Sequence, residues 1–268
     1  MKSCFYRVNY YRLAAVYVLY FFILDMYFRP LREYAVGCGE TISIAILAFG
    51  FCKNYFLKMI LLTTCYYFST EIPFKNREEQ YYLIRLGRER ICLRNILYIG
   101  WSSILLSTGL FLLSILDTFS CQQFENQWTP LDKTIALTDL PQQIGMMFGI
   151  PYEAIEAYSP YRLILLVFFF TLLCFFFVGV FMYALNLIFH RTIAMILCIS
   201  VVLMPDVIVR ANMIPVYYSP ISWISCDCWR YGNVVSKPDT SFIVCAYIFL
   251  IISLSFVCLA KVKRTTYE

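Results

Sequence analysis

Six long apolar stretches, near 13–28, 41–70, 96–116, 161–189, 192–209 and 240–260, constrain this 268-residue chain more than any motif does. A helix of roughly 20 apolar residues crosses a hydrocarbon core of about 30 Å. Inside lipid every backbone polar group must be satisfied within the protein, so apolar stretches of this length read as helices. Hydrophobic residues make up 61% of the chain and charged residues only 15%, where a soluble domain carries about 25%. The fold class is therefore an all-α polytopic membrane protein with six transmembrane helices, a single domain over 1–268. The longest polar segment, roughly 118–160, has about 43 residues. That is close to the lower limit of about 40 residues for an independent core.

Charge sets the expected orientation. The first apolar stretch follows Lys2, Arg7 and Arg12, as a signal peptide would, but it runs into Arg29-Pro30-Leu31-Arg32-Glu33 with no small-residue cleavage pattern. A retained first helix is expected. With the N-terminus inside and six spans alternating, 13 of the 22 basic residues fall inside: Lys2, Arg7, Arg12, Lys75, Arg77, Arg85, Arg88, Arg90, Arg94, Arg191, Lys261, Lys263 and Arg264. This positive-inside bias predicts a multi-pass protein of the cell membrane with both termini cytoplasmic. Residues 1–12, MKSCFYRVNYYR, mix basic and aromatic side chains. They suit a helix lying in the membrane interface ahead of span one, in preference to a plain extension of that span.

The second apolar region is too long for one upright helix. Residues 41–70 would extend about 45 Å at 1.5 Å per residue, and they carry Lys53, Asn54 and Lys58 near their middle. A charge at membrane depth costs about 2.5 kcal/mol or more. A tilted helix could aim Lys53 at a cavity. Alternatively, 41–52 form a short outer helix and 55–70 the true second span. The broken arrangement is preferred, and breaks of this kind are tolerated only where protein or a cavity covers them.

Between spans two and three lies EIPFKNREEQYYLIRLGRERICLRN, residues 71–95, charged yet rich in aliphatic and aromatic side chains. Pro73 marks a break, Gly87 could end or bend a helix from about Asn76 to Leu86, and Glu78, Glu79 and Arg85 are placed to suit its dipole. An amphipathic cytoplasmic helix here can dock on a partner; a solvated basic loop is the plainer reading, and the apolar residues favour docking. The segment 118–160 reads as short helices separated by prolines. Spans four and five form a tight hairpin around His190 and Arg191. Before the last span, residues 212–224 are apolar but broken by Pro215 and Pro220, too short to cross. They read as a re-entrant or interfacial outer element, with Trp223, Trp229 and Tyr231 suited to headgroup depth. Of the 12 cysteines, most fall within spans as small buried hydrophobes. Cys38, Cys121, Cys226 and Cys228 would face outward, where one disulfide among them is possible. Cys226-x-Cys228 lacks a nearby histidine, and the one histidine of the chain, His190, falls on the other side, so no metal site is expected.

The local text and the architecture together resemble the membrane subunit of ABC-2 type exporters. Phe68-Ser69-Thr70-Glu71-Ile72-Pro73-Phe74 and Tyr82-Leu83-Ile84-Arg85-Leu86-Gly87-Arg88-Glu89-Arg90 are similar to the second-span exit and coupling helix of Gram-positive permeases of this kind. Tyr218-Ser219-Pro220-Ile221-Ser222-Trp223 is similar to their segment before the last span. The lysines of the second apolar region depart from the pattern. The resemblance implies a permease without its own motor, since the chain has no GxxxxGK[ST] to cradle phosphates. ATP and Mg would be bound by separate ABC ATPase subunits, and no cofactor by this chain. The coupling segment, with Glu78, Glu79, Tyr82, Ile84, Arg85, Leu86, Arg88, Arg90 and Arg94, would seat in a groove of the ATPase. A second permease subunit, identical or paralogous, would complete the path for an amphipathic cargo such as a peptide or lipid, with antimicrobial peptide export or resistance among the roles implied. Tyr218, Pro220 and Trp223 would belong to the outer element, and Lys53, Asn54 and Lys58 would be the intramembrane polar residues. No nucleic-acid partner is implied.

Two other classes were weighed. An intramembrane enzyme needs paired acids, histidine clusters or a Ser/Lys arrangement at membrane depth. Asp25, Asp117 and Asp206 lie near outer span ends and the chain has no HxxxH, ExxH or DxxxD pattern, so no catalytic residue is assigned. An accessory or sensory membrane subunit that binds a peptide or a partner protein without transporting shares every feature except a cavity and a bound ATPase.

Overall fold

The computed structural model describes residues 10–52, 54–71, 88–209, 217–232 and 237–264. Every one of the apolar stretches contains a long helix: α1 (Tyr10–Cys38), α3 (Asn54–Glu71), α4 (Arg88–Thr118), α8 (Pro160–Ile188), α9 (Arg191–Val209) and α10 (Thr240–Arg264). Four of them, α1, α4 with the turn that follows it, α8 and α10, are long and apolar enough to cross a membrane. The part of α9 from Arg191 to Pro205 is a shorter apolar helix. The protein is thus an all-α, multi-span membrane protein. Its short elements are β1 (Ile42–Ser43), α2 (Ile46–Gly50), β2 (Gln122–Gln123), α5 (Pro130–Leu137), α6 (Leu140–Gln143) and α7 (Tyr152–Ala157).

Side-chain contacts fix the sense of each helix. Along α1 and α3, Phe28 meets Phe56 and Tyr20 hydrogen-bonds Thr64, so these two run antiparallel. Tyr17 donates to the Leu105 carbonyl and Arg32 reaches Asp117, so α1 and α4 run parallel. Phe111 meets Phe168 and Asn95 donates to Tyr183, so α8 runs back against α4. The α8–α9 turn occupies Phe189 and His190 alone. Tyr247 accompanies Phe177 along α10, and Lys263 ends beside Glu89 at 3.2 Å. One end of the bundle, called outer here, therefore holds 38–52, 119–159, 217–232 and 237–239. The start of α1, the ends of α3 and α8, the start of α4 and the end of α10 gather at the opposite, inner end.

Several boundaries differ from the sequence expectation. The first helix does not stop near Phe28 but runs 29 residues through an internal Pro30 to Cys38. Proline removes one backbone hydrogen bond, a loss a long helix survives when its neighbours hold it. Here Arg29 pairs with Glu33 one turn on, and Arg32 is anchored to two carboxylates. Tyr10 to Arg12, expected in an interfacial helix, form the exposed first turn of α1; the rest of that expectation, residues 1–9, lies outside the described residues. The third span begins at Arg88 in place of Ile96, so Arg88, Arg90 and Arg94 ride on the inner turns of α4. Region 41–70 is broken: α2 ends at Gly50, and α3 begins at Asn54.

The core sits around α8, which contacts α3, α4, α9 and α10 and is the most enclosed of the crossing helices. The faces of α1 and α10 that point away from it expose Val18, Phe22, Phe249, Ile252 and Phe256. Such residues on a crossing helix meet lipid, which is as apolar as they are. Without a hydrophobic drive between helices, close backbone approach matters more, and small residues supply it. Gly179 is such a point: a Cβ there would lie 2.4 Å from Ile99 Cγ2 and 3.0 Å from the Phe68 ring. Ile99 is β-branched and stiff, so it cannot swing aside. Gly179→Ala is expected to destabilise the bundle by about 1–3 kcal/mol, read as a lower unfolding midpoint in detergent. A midpoint equal to the wild type would show that α3, α4 and α8 do not meet at this glycine.

Candidate functional site

The outer end is where the sequence is least regular and where the polar side chains converge. The α1–α2 connection and the segment after α4 first meet as two strands of two residues, β1 and β2, paired in parallel with Ile42 opposite Gln122 and Ser43 opposite Gln123. Above them α5 starts with a capping box. Thr129 accepts from the Asp132 backbone N–H at 3.2 Å, and the Asp132 carboxylate accepts from Thr129 N–H at 3.4 Å. Pro130 takes the first helical position, where its missing donor costs nothing. The same carboxylate accepts from the backbone N–H of Ser43 at 3.2 Å, tying the cap to the β1 strand. Burial pushes the Asp132 carboxyl above the ordinary carboxylate range, and the hydrogen bonds from Ser43 and Thr129 oppose that rise.

One turn inward lies an ion cluster. Arg32 Nη2 donates to Asp25 Oδ1 at 2.7 Å, and Nη1 donates to Asp117 Oδ1 at 2.6 Å and to the Asp117 carbonyl at 3.1 Å. The Asp117 side chain is 1% exposed, and that of Arg32 25%. A planar guanidinium with several fixed donors suits two carboxylates at once. The cluster joins the outer ends of α1 and α4.

The outer element, residues 217–232, packs into the same end. It contains two 3-10 turns, Ser222–Ile224 and Cys226–Cys228. Trp223 Nε1 donates to the Tyr217 carbonyl and Trp229 Nε1 to the Trp223 carbonyl, both at 2.9 Å. Trp229 packs edge-on against Phe170 of α8 and against Tyr158, while Trp223 packs on Tyr247 and Phe242 of α10. Tyr247 donates to the Pro220 carbonyl. Of the three residues singled out from sequence, Trp223 is buried, Pro220 half-buried and Tyr218 exposed against Phe242. Trp223 and Trp229 have their rings enclosed by protein, and their indole N–H groups find backbone carbonyls inside the element. Cys52, at the break before α3, reaches Cys226, with the two Sγ atoms 2.9 Å apart. Cys52, Cys226 and Asp227 bring their donor atoms within 4.8 Å of one another, a spacing able to hold a metal ion.

The remaining sequence candidates divide between the two ends. Lys58 is buried in the first turns of α3, its ammonium 5.2 Å from the Tyr55 ring centroid. Asn54 begins that helix, and Lys53 lies outside the described residues. At the inner end Arg90 is exposed and Arg94 half-buried. Glu78, Glu79, Tyr82, Ile84, Arg85 and Leu86 lie outside the described residues. Sequence reasoning missed Asp25, Arg32, Asp117, Asp132 and Cys52. Thr129-Pro130-x-Asp132 is a legible capping-box signature. Asp25 and Arg32 share one helix face once Pro30 is accepted inside α1. Nothing local announces Asp117 or Cys52 as partners.

No family model, no curated protein and no solved structure matches this chain.

Chemically, the described polar groups at the outer end hold the chain together where the helices stop. Arg32→Met is expected to cost about 1.5–3 kcal/mol, the worth of a hydrogen bond to a charged group, and Arg32→Lys should recover only part of it because an ammonium cannot reproduce the fork. Thermal unfolding of the purified variants measures both. Equal midpoints for all three proteins would contradict a structural role for the cluster.

Proposed function

We propose that this chain is the membrane-spanning subunit of an ATP-powered exporter of the ABC-2 type. Together with a second copy or a paralogue it would form the path for an amphipathic cargo such as a peptide or lipid. The observation that supports this reading best is the division of labour between the two ends. Long apolar helices alternate in sense, and the inner end collects Arg90, Arg94, Arg191, Lys261 and Lys263. The outer end carries a broken element before α3 and a non-crossing element before α10. A basic inner end faces the cytoplasm under the positive-inside rule. The segment between α3 and α4 then emerges on the side where an ATPase would sit. Arg88, Arg90 and Arg94 extend from it along the first turns of α4, so a push on that segment passes into a helix that contacts α1, α8 and α10. ATP and Mg belong to the partner ATPase in this reading.

A second reading is an accessory or sensory subunit that binds a peptide or protein without transporting. The tightly enclosed outer element, with Trp223, Ile224, Cys226 and Trp229 all buried, favours it, because a side-chain-filled outer end leaves little room for cargo in the single chain.

The test is affinity purification of the full chain from its native membrane, followed by mass spectrometry. A stoichiometric ATPase carrying a phosphate-binding loop is expected. Arg85→Glu combined with Arg88→Glu is expected to insert normally and to lose that ATPase by at least about tenfold in affinity, equivalent to roughly 1.4 kcal/mol. A preparation free of any ATPase, or co-purification unchanged by the double substitution, would contradict the docking assignment; the former would favour the accessory role.

A further inference from the structure

The outer end contains a cysteine pair that no pattern in the sequence joins. Cys52 lies between α2 and α3, and Cys226 opens the second 3-10 turn of the outer element, 174 positions later. Their Sγ atoms are 2.9 Å apart. Another thiol pair of this protein, Cys65 with Cys198 between α3 and α9, sits at an ordinary contact of 3.6 Å. A disulfide bond is about 2.05 Å long, so the outer pair is well inside thiol contact and a small movement from bonding.

The backbone around each cysteine is held by hydrogen bonds. The Cys52 N–H donates to the Phe49 carbonyl at 3.0 Å. The Cys226 carbonyl accepts from the Trp229 N–H at 3.2 Å and from the Tyr231 hydroxyl at 3.0 Å. Both sulfurs lie over the Ala48 carbonyl, at 3.7 and 3.9 Å. Cys226 is buried, whereas Cys52 is half-buried and so open to a reagent from outside. The pair also lies at the bundle end opposite Arg90, Arg94, Arg191, Lys261 and Lys263, which under the proposed orientation faces an exterior or lumenal compartment where disulfides persist.

We propose that Cys52 and Cys226 form a disulfide that staples the break between α2 and α3 to the outer element. The oxidant is a disulfide, either of a thiol oxidoreductase or of low molecular weight. The Cys52 thiolate attacks it, forming a mixed disulfide and releasing one oxidant thiol. Cys226 gives up its proton and attacks the Cys52 sulfur, closing the bond and expelling the second oxidant thiol. Two protein thiols lose two electrons and two protons, and one oxidant disulfide becomes two thiols. The bond ties the turn before α3 to the outer element that carries Trp223 and Trp229.

The full-length protein, purified from membranes without reductant, is blocked with N-ethylmaleimide, digested and mapped by mass spectrometry. The expected result is a linked peptide pair containing Cys52 and Cys226, separated by reductant, with Cys65 and Cys198 both alkylated. Reductant is expected to lower the unfolding midpoint of the wild type by several degrees and to leave Cys52→Ser and Cys226→Ser unchanged. The mapping needs no variant to fold. Full alkylation of Cys52 and Cys226 before reduction would overturn the proposal, as would a Cys226–Cys228 link. One zinc ion per chain, lost in either serine variant, would also overturn it and assign the pair with Asp227 to a metal.

Discussion

A polar group removed from water without a partner costs about 1–3 kcal/mol, and a charge costs more; the outer end of this bundle is arranged around that penalty. Continuous helices satisfy their own backbone through the membrane. Wherever the chain leaves a helix it must find other partners, and at the outer end it does so repeatedly. Asp132 accepts the Ser43 and Thr129 N–H groups, the tryptophan indoles of the outer element donate to backbone carbonyls, and Arg32 neutralises Asp25 and Asp117. These contacts tie α1 to α4 and the cap of α5 to the β1 strand at this end.

The same constraint explains how irregular chain is tolerated there. The break after Gly50 would be costly if it faced lipid. Its neighbours instead are protein: Phe51 and Phe49 are buried, Phe56 stacks edge-on with Phe28 and Tyr27, and Trp128 covers Phe49. Lys58 follows about one turn into α3, buried with its ammonium over the Tyr55 ring. Under the proposed exporter function, this jointed region and the outer element are the parts of the subunit built to differ from rigid helix, while α8 acts as the fixed spine.

Much of the fold was legible because hydropathy is a local property. Each apolar stretch became a helix, and the excess length of 41–70 with Lys53 and Lys58 inside it pointed to a break. The boundaries were less legible. Hydropathy ends the first apolar stretch at Phe28, yet α1 continues through Pro30 to Cys38, where Arg32 pairs with Asp25 of the same helix and Asp117 of α4. Arg88, Arg90 and Arg94 were expected in the docking segment ahead of a third span starting at Ile96, yet they lie on the first turns of α4, where a helix end can carry charges beyond the membrane core. The site itself depended on contacts between residues far apart in sequence. Asp117 and Arg32 are 85 positions apart and Cys52 and Cys226 are 174 apart, and neither pairing leaves a mark in a single sequence. The packing of Trp223 and Trp229 was not legible either: aromatic residues near a span end suit lipid and protein surroundings equally, and here their indole N–H groups are taken by the Tyr217 and Trp223 carbonyls.

The account rests on the two ends of the bundle lying on opposite sides of a membrane. Its most direct test is epitope accessibility in intact cells, with one tag inserted after Glu125 in the exposed connection between β2 and α5 and another appended after Glu268. The account predicts that antibody reaches the first tag on intact cells and the second only after permeabilisation. Labelling of both tags from the same side, or of the second alone on intact cells, would contradict it.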